Sequence, residues 1–298
     1  SIILVINSED KVTARILGIA LVNLLAYIGL FIYQMNNGGK FYSKEFWQHG
    51  LKFNIPLVPH YLSQTVLNNS DRIMIQHLVN SGSAGIYSLA YSLSQIMMML
   101  NNALVYALSP WIYTNIRDKK IHIIGPVSYG SLIMIAGVNL FLIAFAPEAI
   151  AIFAPPEYYE AIWCIPPIAM SVYFMYAYDL FAKFEFYYER TKLIATATVV
   201  SALLNIILNY IFIKKFGYMA AAYITLLCYF LYAVFHYIIM QLVCKKELNG
   251  ENPYSTKTLL IITSIFLGIG FLYLAVYKNT TIRYFLTGML FLIIILDI

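Results

Sequence analysis

Charged side chains are spaced along this chain so that long stretches contain none. Runs without Asp, Glu, Lys or Arg cover residues 16–39, 53–70, 73–116, 121–147, 161–178, 193–213, 216–244, 258–277 and 284–296. A helix crossing the hydrocarbon core of a bilayer needs roughly 17 to 25 such residues. Most runs therefore hold one helix, and the spacing predicts nine spans. The run 73–116 is too long for one, and Asn80-Ser81-Gly82-Ser83 breaks it, leaving a long helix from about Ala84 to Trp111. Composition agrees: 61% of the residues are hydrophobic and only 11% are charged, whereas a soluble domain is about a quarter charged. The expected fold is an all-α polytopic transmembrane bundle, and a water-soluble globule is excluded.

Loop charges orient the spans. With nine of them, the loops near 36–52, 114–122, 183–192 and 244–257 share one side and carry twelve of the 19 Lys and Arg residues, Lys40, Lys44, Lys119 and Arg190 among them. By the positive-inside rule this side is cytoplasmic, although Lys214-Lys215 on the other side works against it. Met35 to Gly50 reads as a flexible Asn-Asn-Gly-Gly break followed by an interfacial amphipathic helix starting at Phe41. It marks a bundle boundary, and Glu247 to Pro253 marks a second one. The domain reading is residues 1–35 as the end of a first bundle, 36–50 as a cytoplasmic linker, 51–243 as a six-helix bundle and 244–298 as an appended pair. Starting at Ser1 and stopping inside an apolar run, the chain reads as a fragment.

Polar groups inside the spans are the candidate functional residues, since lipid makes them costly. His60, Gln64, Asn68 and Asp71 fall at i, i+4, i+8 and i+11, one face of a helix. Pro56 and Pro59 interrupt that helix near its cytoplasmic end, as in many transport helices. The face meets either a polar cavity or polar neighbours acting as interhelical glue. Asp71 and Arg72 are adjacent, so they point about 100° apart and at least one needs another partner. A gating or structural ion pair, substrate contact and interface anchoring are all open to them. Asp179 and Lys183 stand at i and i+4 in the order that favours a helical ion pair. The alternative makes Lys183 a cavity cation for a phosphate and Asp179 its tuning partner or a proton carrier. Ser201, Asn205 and Asn209 form a further stripe, as do Tyr87, Tyr91, Gln95 and Asn102, with helix packing as the plain explanation.

Enzymatic motifs are absent. The five histidines, His49, His60, His77, His122 and His236, are scattered, with no zinc spacing, nucleophile elbow or phosphate-binding loop. Cys164, Cys228 and Cys244 form no CxxC pair and read as packing residues.

Phe53-Asn54-Ile55-Pro56-Leu57-Val58-Pro59-His60, Asp71-Arg72-Ile73-Met74-Ile75 and Ala84-Gly85-Ile86-Tyr87-Ser88-Leu89-Ala90-Tyr91 together resemble the oligosaccharide flippases of bacterial polysaccharide and O-antigen synthesis. These belong to the multidrug/oligosaccharidyl-lipid/polysaccharide (MOP) exporter superfamily. Phe186 to Lys192, the asparagines Asn205 and Asn209, and the Phe216-Gly217 turn before Ala220-Ala221-Ala222 continue the resemblance, which covers about 36–243. It implies two six-helix bundles working by alternating access in the bacterial cytoplasmic membrane, with five helices missing before residue 16. It also implies an undecaprenyl-pyrophosphate-linked oligosaccharide as cargo, and a polysaccharide polymerase and chain-length machinery as partners. Arg72, Lys183 and Arg15 are the candidate cations for the diphosphate, with His60, Gln64, Asn68, Tyr91, Asn205 and Asn209 as further cavity residues. Asp71 and Asp179 are gating or coupling candidates. No metal, organic cofactor or nucleic acid is expected, and a coupling ion would be H+ or Na+. The rival readings are a multidrug cation antiporter of the same superfamily and an integral-membrane enzyme of glycan assembly.

Overall fold

The computed structural model describes residues 2–39 and 42–296, and every regular element among them is helical. Lys40 and Phe41, which the sequence reading placed in the cytoplasmic connection, lie outside the described residues. The chain divides into two compact units, residues 1–53 and 54–298.

The first unit contains α1 (Ile2–Ile6), α2 (Lys11–Gly38) and nearly all of α3 (Lys44–Asn54). Asp10 starts α2 by accepting from the backbone N–H groups of Val12 and Thr13, both at 3.1 Å, which satisfies donors that a first turn leaves orphaned. Gly39, at φ 64°, ends it in the left-handed conformation that glycine adopts most easily.

The second unit opens where the two prolines break the chain into a 3₁₀ turn at Ile55–Leu57, and α4 (Val58–Leu78) follows. Asn80 then caps α5 (Ser81–Arg117), its Oδ1 accepting from the Ser83 N–H at 2.8 Å. The expected break at residues 80–83 is therefore shorter than the sequence suggested. Ser81 to Ser83 form the first turn of the helix because the asparagine side chain supplies its cap. At 37 residues α5 is about 55 Å long by the rise of an α-helix, well beyond the hydrocarbon thickness.

The unit continues with α6 (Ile124–Ala144), the short α7 (Ala146–Phe153), α8 (Ile165–Tyr187), α9 (Thr191–Phe216), α10 (Met219–Glu247), α11 (Thr256–Val276) and α12 (Thr280–Leu296). Helix α8 is central. Residues 165–177 are buried throughout, and α5, α6, α10 and α11 pack around it. A helix that is apolar on every side has this position available to it. Helix α9 covers α4 and α10.

By length and composition five described helices are able to cross a membrane: α2, the helical stretch Ile121–Ala144, α9, α10 and α11. A sixth results if the turn Pro156–Trp163 and α8, bent by 49°, count as one. The protein is thus a multi-pass membrane bundle. Helices α4 and α5 are as long as spans but carry much of the polar chemistry described next.

The last two helices are clamped to the rest of their unit. Arg283 grips both carboxylate oxygens of Glu148, at 2.6 and 2.5 Å, and donates to the Ala144 carbonyl at 2.6 Å. Two glycines permit close approach: a Cβ on Gly125 would stand 2.2 Å from the Pro253 carbonyl oxygen, and one on Gly270 would stand 2.6 Å from the Met170 sulfur.

Candidate functional site

The four polar residues on one face of α4 all turn into the second unit, and each meets a different neighbour. Nearest the N-terminal end, His60 Nδ1 lies 2.6 Å from Thr198 Oγ1 on α9, which in turn lies 3.0 Å from Tyr232 Oη on α10. One turn on, Gln64 donates to Tyr178 Oη on α8 at 2.8 Å. Asn68 Oδ1 accepts from Tyr229 on α10 at 2.7 Å and from Tyr91 on α5 at 3.3 Å. Asp71, only 1% exposed, accepts from Tyr87 on α5 at 2.8 Å, Thr225 on α10 at 2.5 Å and Asn209 on α9 at 2.6 Å. Asn205 joins the same cluster by accepting from Ser70 at 2.8 Å. The helical period of the face puts all four groups in line, and a buried carboxylate is tolerable only because several donors converge on it.

Between these contacts lies a cavity of about 150 Å³. Its polar wall is Gln64, Asn68, Asn101, Asn102, Tyr178, Asp179, Tyr229 and Tyr232, with leucine and methionine side chains completing it. Asp179 is the charged residue of this wall. The cavity and the interhelical bonds are thus parts of one arrangement, in which Asn68 and Gln64 serve both.

The charged pairs behave differently from the helical spacing. Asp179 and Lys183 do not close the i, i+4 ion pair, since no acid–base contact within 4.0 Å joins them among the described residues. Asp179 turns into the cavity, while Lys183 is 9% exposed further along α8. Asp71 and Arg72 also part, as adjacency requires. The Arg72 guanidinium lies over the Tyr91 ring, 4.3 Å from its centroid, and its Nε has no hydrogen-bond partner. Arg15 belongs to the first unit, on α2.

One buried pair has no counterpart in the sequence reading. Glu185 on α8 and His236 on α10, each 0% exposed, meet at 2.8 Å between Oε1 and Nδ1. They are 51 positions apart, and His236 reads as one scattered histidine among five. Thr198 and Thr225 were equally silent, because threonine in an apolar helix is unremarkable until its neighbours are known. All three cysteines are free and buried.

The all-α bundle is similar in fold to solved transporters of the MOP superfamily. Similar solved structures are a MOP superfamily transporter from Pyrococcus furiosus (TM-score 0.53, 20% identity, 76% of this chain and 53% of that one) and the lipid II flippase MurJ in an inward closed conformation (TM-score 0.55, 16% identity, 85% and 55%). Residues 1–115 match the polysaccharide biosynthesis protein family. The Lsg locus protein 1 of Haemophilus influenzae is 25% identical over 211 residues, covering 66% of this chain and 51% of that protein. The resemblance drawn from the sequence agrees with the match of residues 1–115 to the polysaccharide biosynthesis protein family and with the fold of the MOP superfamily structures. The chain spans about half the length of the curated relative and solved structures it matches.

Proposed function

We propose that the whole protein moves an undecaprenyl-pyrophosphate-linked oligosaccharide from the cytoplasmic to the outer leaflet of the bacterial cytoplasmic membrane, by alternating access, for polysaccharide or O-antigen assembly. The observation that carries the reading is the match to the polysaccharide biosynthesis family on a chain with a transporter fold. In this reading the diphosphate is drawn to cations of the second unit, Arg72 and Lys183, while the lipid tail stays in the bilayer. Arg72 suits that role because its planar fork has donors to spare. A polymerase and chain-length machinery then use the product.

Cavity size divides the labour. A volume of about 150 Å³ is below the roughly 300–1,000 Å³ of pockets that hold even drug-sized ligands, and equals the share of a handful of waters. That size suits a coupling ion, H+ or Na+, with Asp179 as its carboxylate, better than it suits the cargo. That acidic wall is also what supports the second reading, a multidrug cation antiporter, since a negative cavity favours cations.

The test is surface glycan in a strain that lacks the native gene and carries the full-length protein, at matched protein levels. Arg72→Ala should insert normally and export poorly, and Arg72→Lys should fall between it and wild type. Normal export from Arg72→Ala reduces this residue to an anchor. Drug efflux with unchanged surface glycan on deletion replaces the flippase reading with the antiporter.

A further inference from the structure

The Glu185–His236 contact is buried more completely than any other acid–base contact among the described residues, with both side chains 0% exposed. Each partner keeps a second polar atom, Glu185 Oε2 and His236 Nε2, that is also buried and has no hydrogen-bond partner. Nothing in the flippase reading uses these residues.

With a neutral imidazole donating its Nδ1–H to the carboxylate, the pair carries one negative charge, and a carboxylate oxygen faces the interior with no donor. Such a charge is costly in a water-excluded site unless something compensates it. One proton from water, added to the pair as imidazolium with carboxylate or as imidazole with carboxylic acid, brings the net charge to zero. Nothing else changes hands, and release returns the proton to water.

The surroundings leave the choice open to the proton. Helix α8 brings Tyr178 and Asp179 to His236, with Lys183 acting on Asp179, α10 brings Tyr232, whose ring stands edge-on to His236 with centroids 4.5 Å apart, and α4 brings His60. Helix α9 contributes Thr198, which joins His60 to Tyr232.

We propose that Glu185 and His236 form a proton-binding site that holds one exchangeable proton between α8 and α10. Its occupancy sets how tightly these helices pack: the neutral pair is compatible with a dry contact, and the charged one favours water entry. The existence of the site does not rest on the transport reading. Its consequence does, since in a working transporter it makes the α8–α10 contact sensitive to pH.

The experiment uses the full-length protein in lipid nanodiscs, with ¹⁵N-labelled histidine, titrated from about pH 5 to about pH 9 around the range where histidine changes charge. Infrared difference spectra report the carboxyl and NMR reports the imidazole. The expected result is one carboxyl band, absent from Glu185→Gln, and one imidazole signal, absent from His236→Gln, that change with a common midpoint, because coupled groups titrate as a pair. If either variant does not fold, coincidence of the two wild-type midpoints carries the same information. An imidazole that titrates at the same pH in wild type and Glu185→Gln overturns the proposal, as does a wild-type pair that stays in one protonation state across the range. Neither readout depends on export, so a failed flippase reading leaves the site standing, and the reverse.

Discussion

Asp71 is where the second unit has most to lose from a single atom-level change. Its carboxylate takes donors from three other helices, Tyr87 of α5, Asn209 of α9 and Thr225 of α10. Asp71→Ala removes the acceptor and strands all three donors in a site that is 1% exposed. Interhelical hydrogen bonds in membrane proteins are worth about 0.6 kcal/mol on average and up to about 1.7 kcal/mol, so three of them predict a loss of about 2–5 kcal/mol. Asp71→Asn keeps the shape and one oxygen. The Tyr87 and Thr225 hydroxyls are able to reorient and accept from the new amide, so its cost should stay near 1 kcal/mol. Reversible unfolding of the two variants and wild type in the same mild detergent, at one pH, measures both numbers. If Asp71→Ala unfolds within about 0.5 kcal/mol of wild type, the ordinary scatter of a harmless substitution, the four-helix junction is not what holds these helices together. Export by Asp71→Asn adds a separate answer: a stable protein that does not export makes the charge itself, rather than the acceptor, the functional property.

Three further outcomes follow from other contacts. Because Asp179 and Lys183 face each other electrostatically without a salt-bridge contact, a double-mutant cycle of Asp179→Asn with Lys183→Gln should show coupling below the roughly 3 kcal/mol that a contacting pair can reach, and a coupling at that level restores the ion pair. Gly125→Ala drives a methyl to 2.2 Å from the Pro253 carbonyl, so it should cost about 1–3 kcal/mol and expose the 248–255 connection to protease, whereas Gly130→Ala, with open space around it, should not. Cysteines placed at Gly82 and Glu157 should react with an impermeant reagent on whole cells while those at Lys44, Lys119 and Arg190 should not. The three native cysteines are buried and give little background, and the opposite pattern inverts the membrane orientation.

Several features of this protein are written in the order of its residues because they depend on local chemistry. Charge-free runs mark apolar helices, two prolines break the entry to α4, and the repeat of His60, Gln64, Asn68 and Asp71 puts them on one face without reference to any other helix. Motifs in series were enough to point to the flippase family, since they are read along the chain. Partner choice is a different kind of fact. The i, i+4 rule joins Asp179 to Lys183, yet Asp179 lines a cavity and the two stop short of a salt-bridge contact, because a surface-helix preference of a few tenths of a kcal/mol yields to the space that packing makes available. Glu185 meets His236 across 51 positions, and Asp71 meets Thr225 across 154. No periodicity contains either pairing, because helical period fixes only the direction in which a side chain leaves its own axis. What it meets there is set by which helices pack side by side, and that is a property of the assembled bundle.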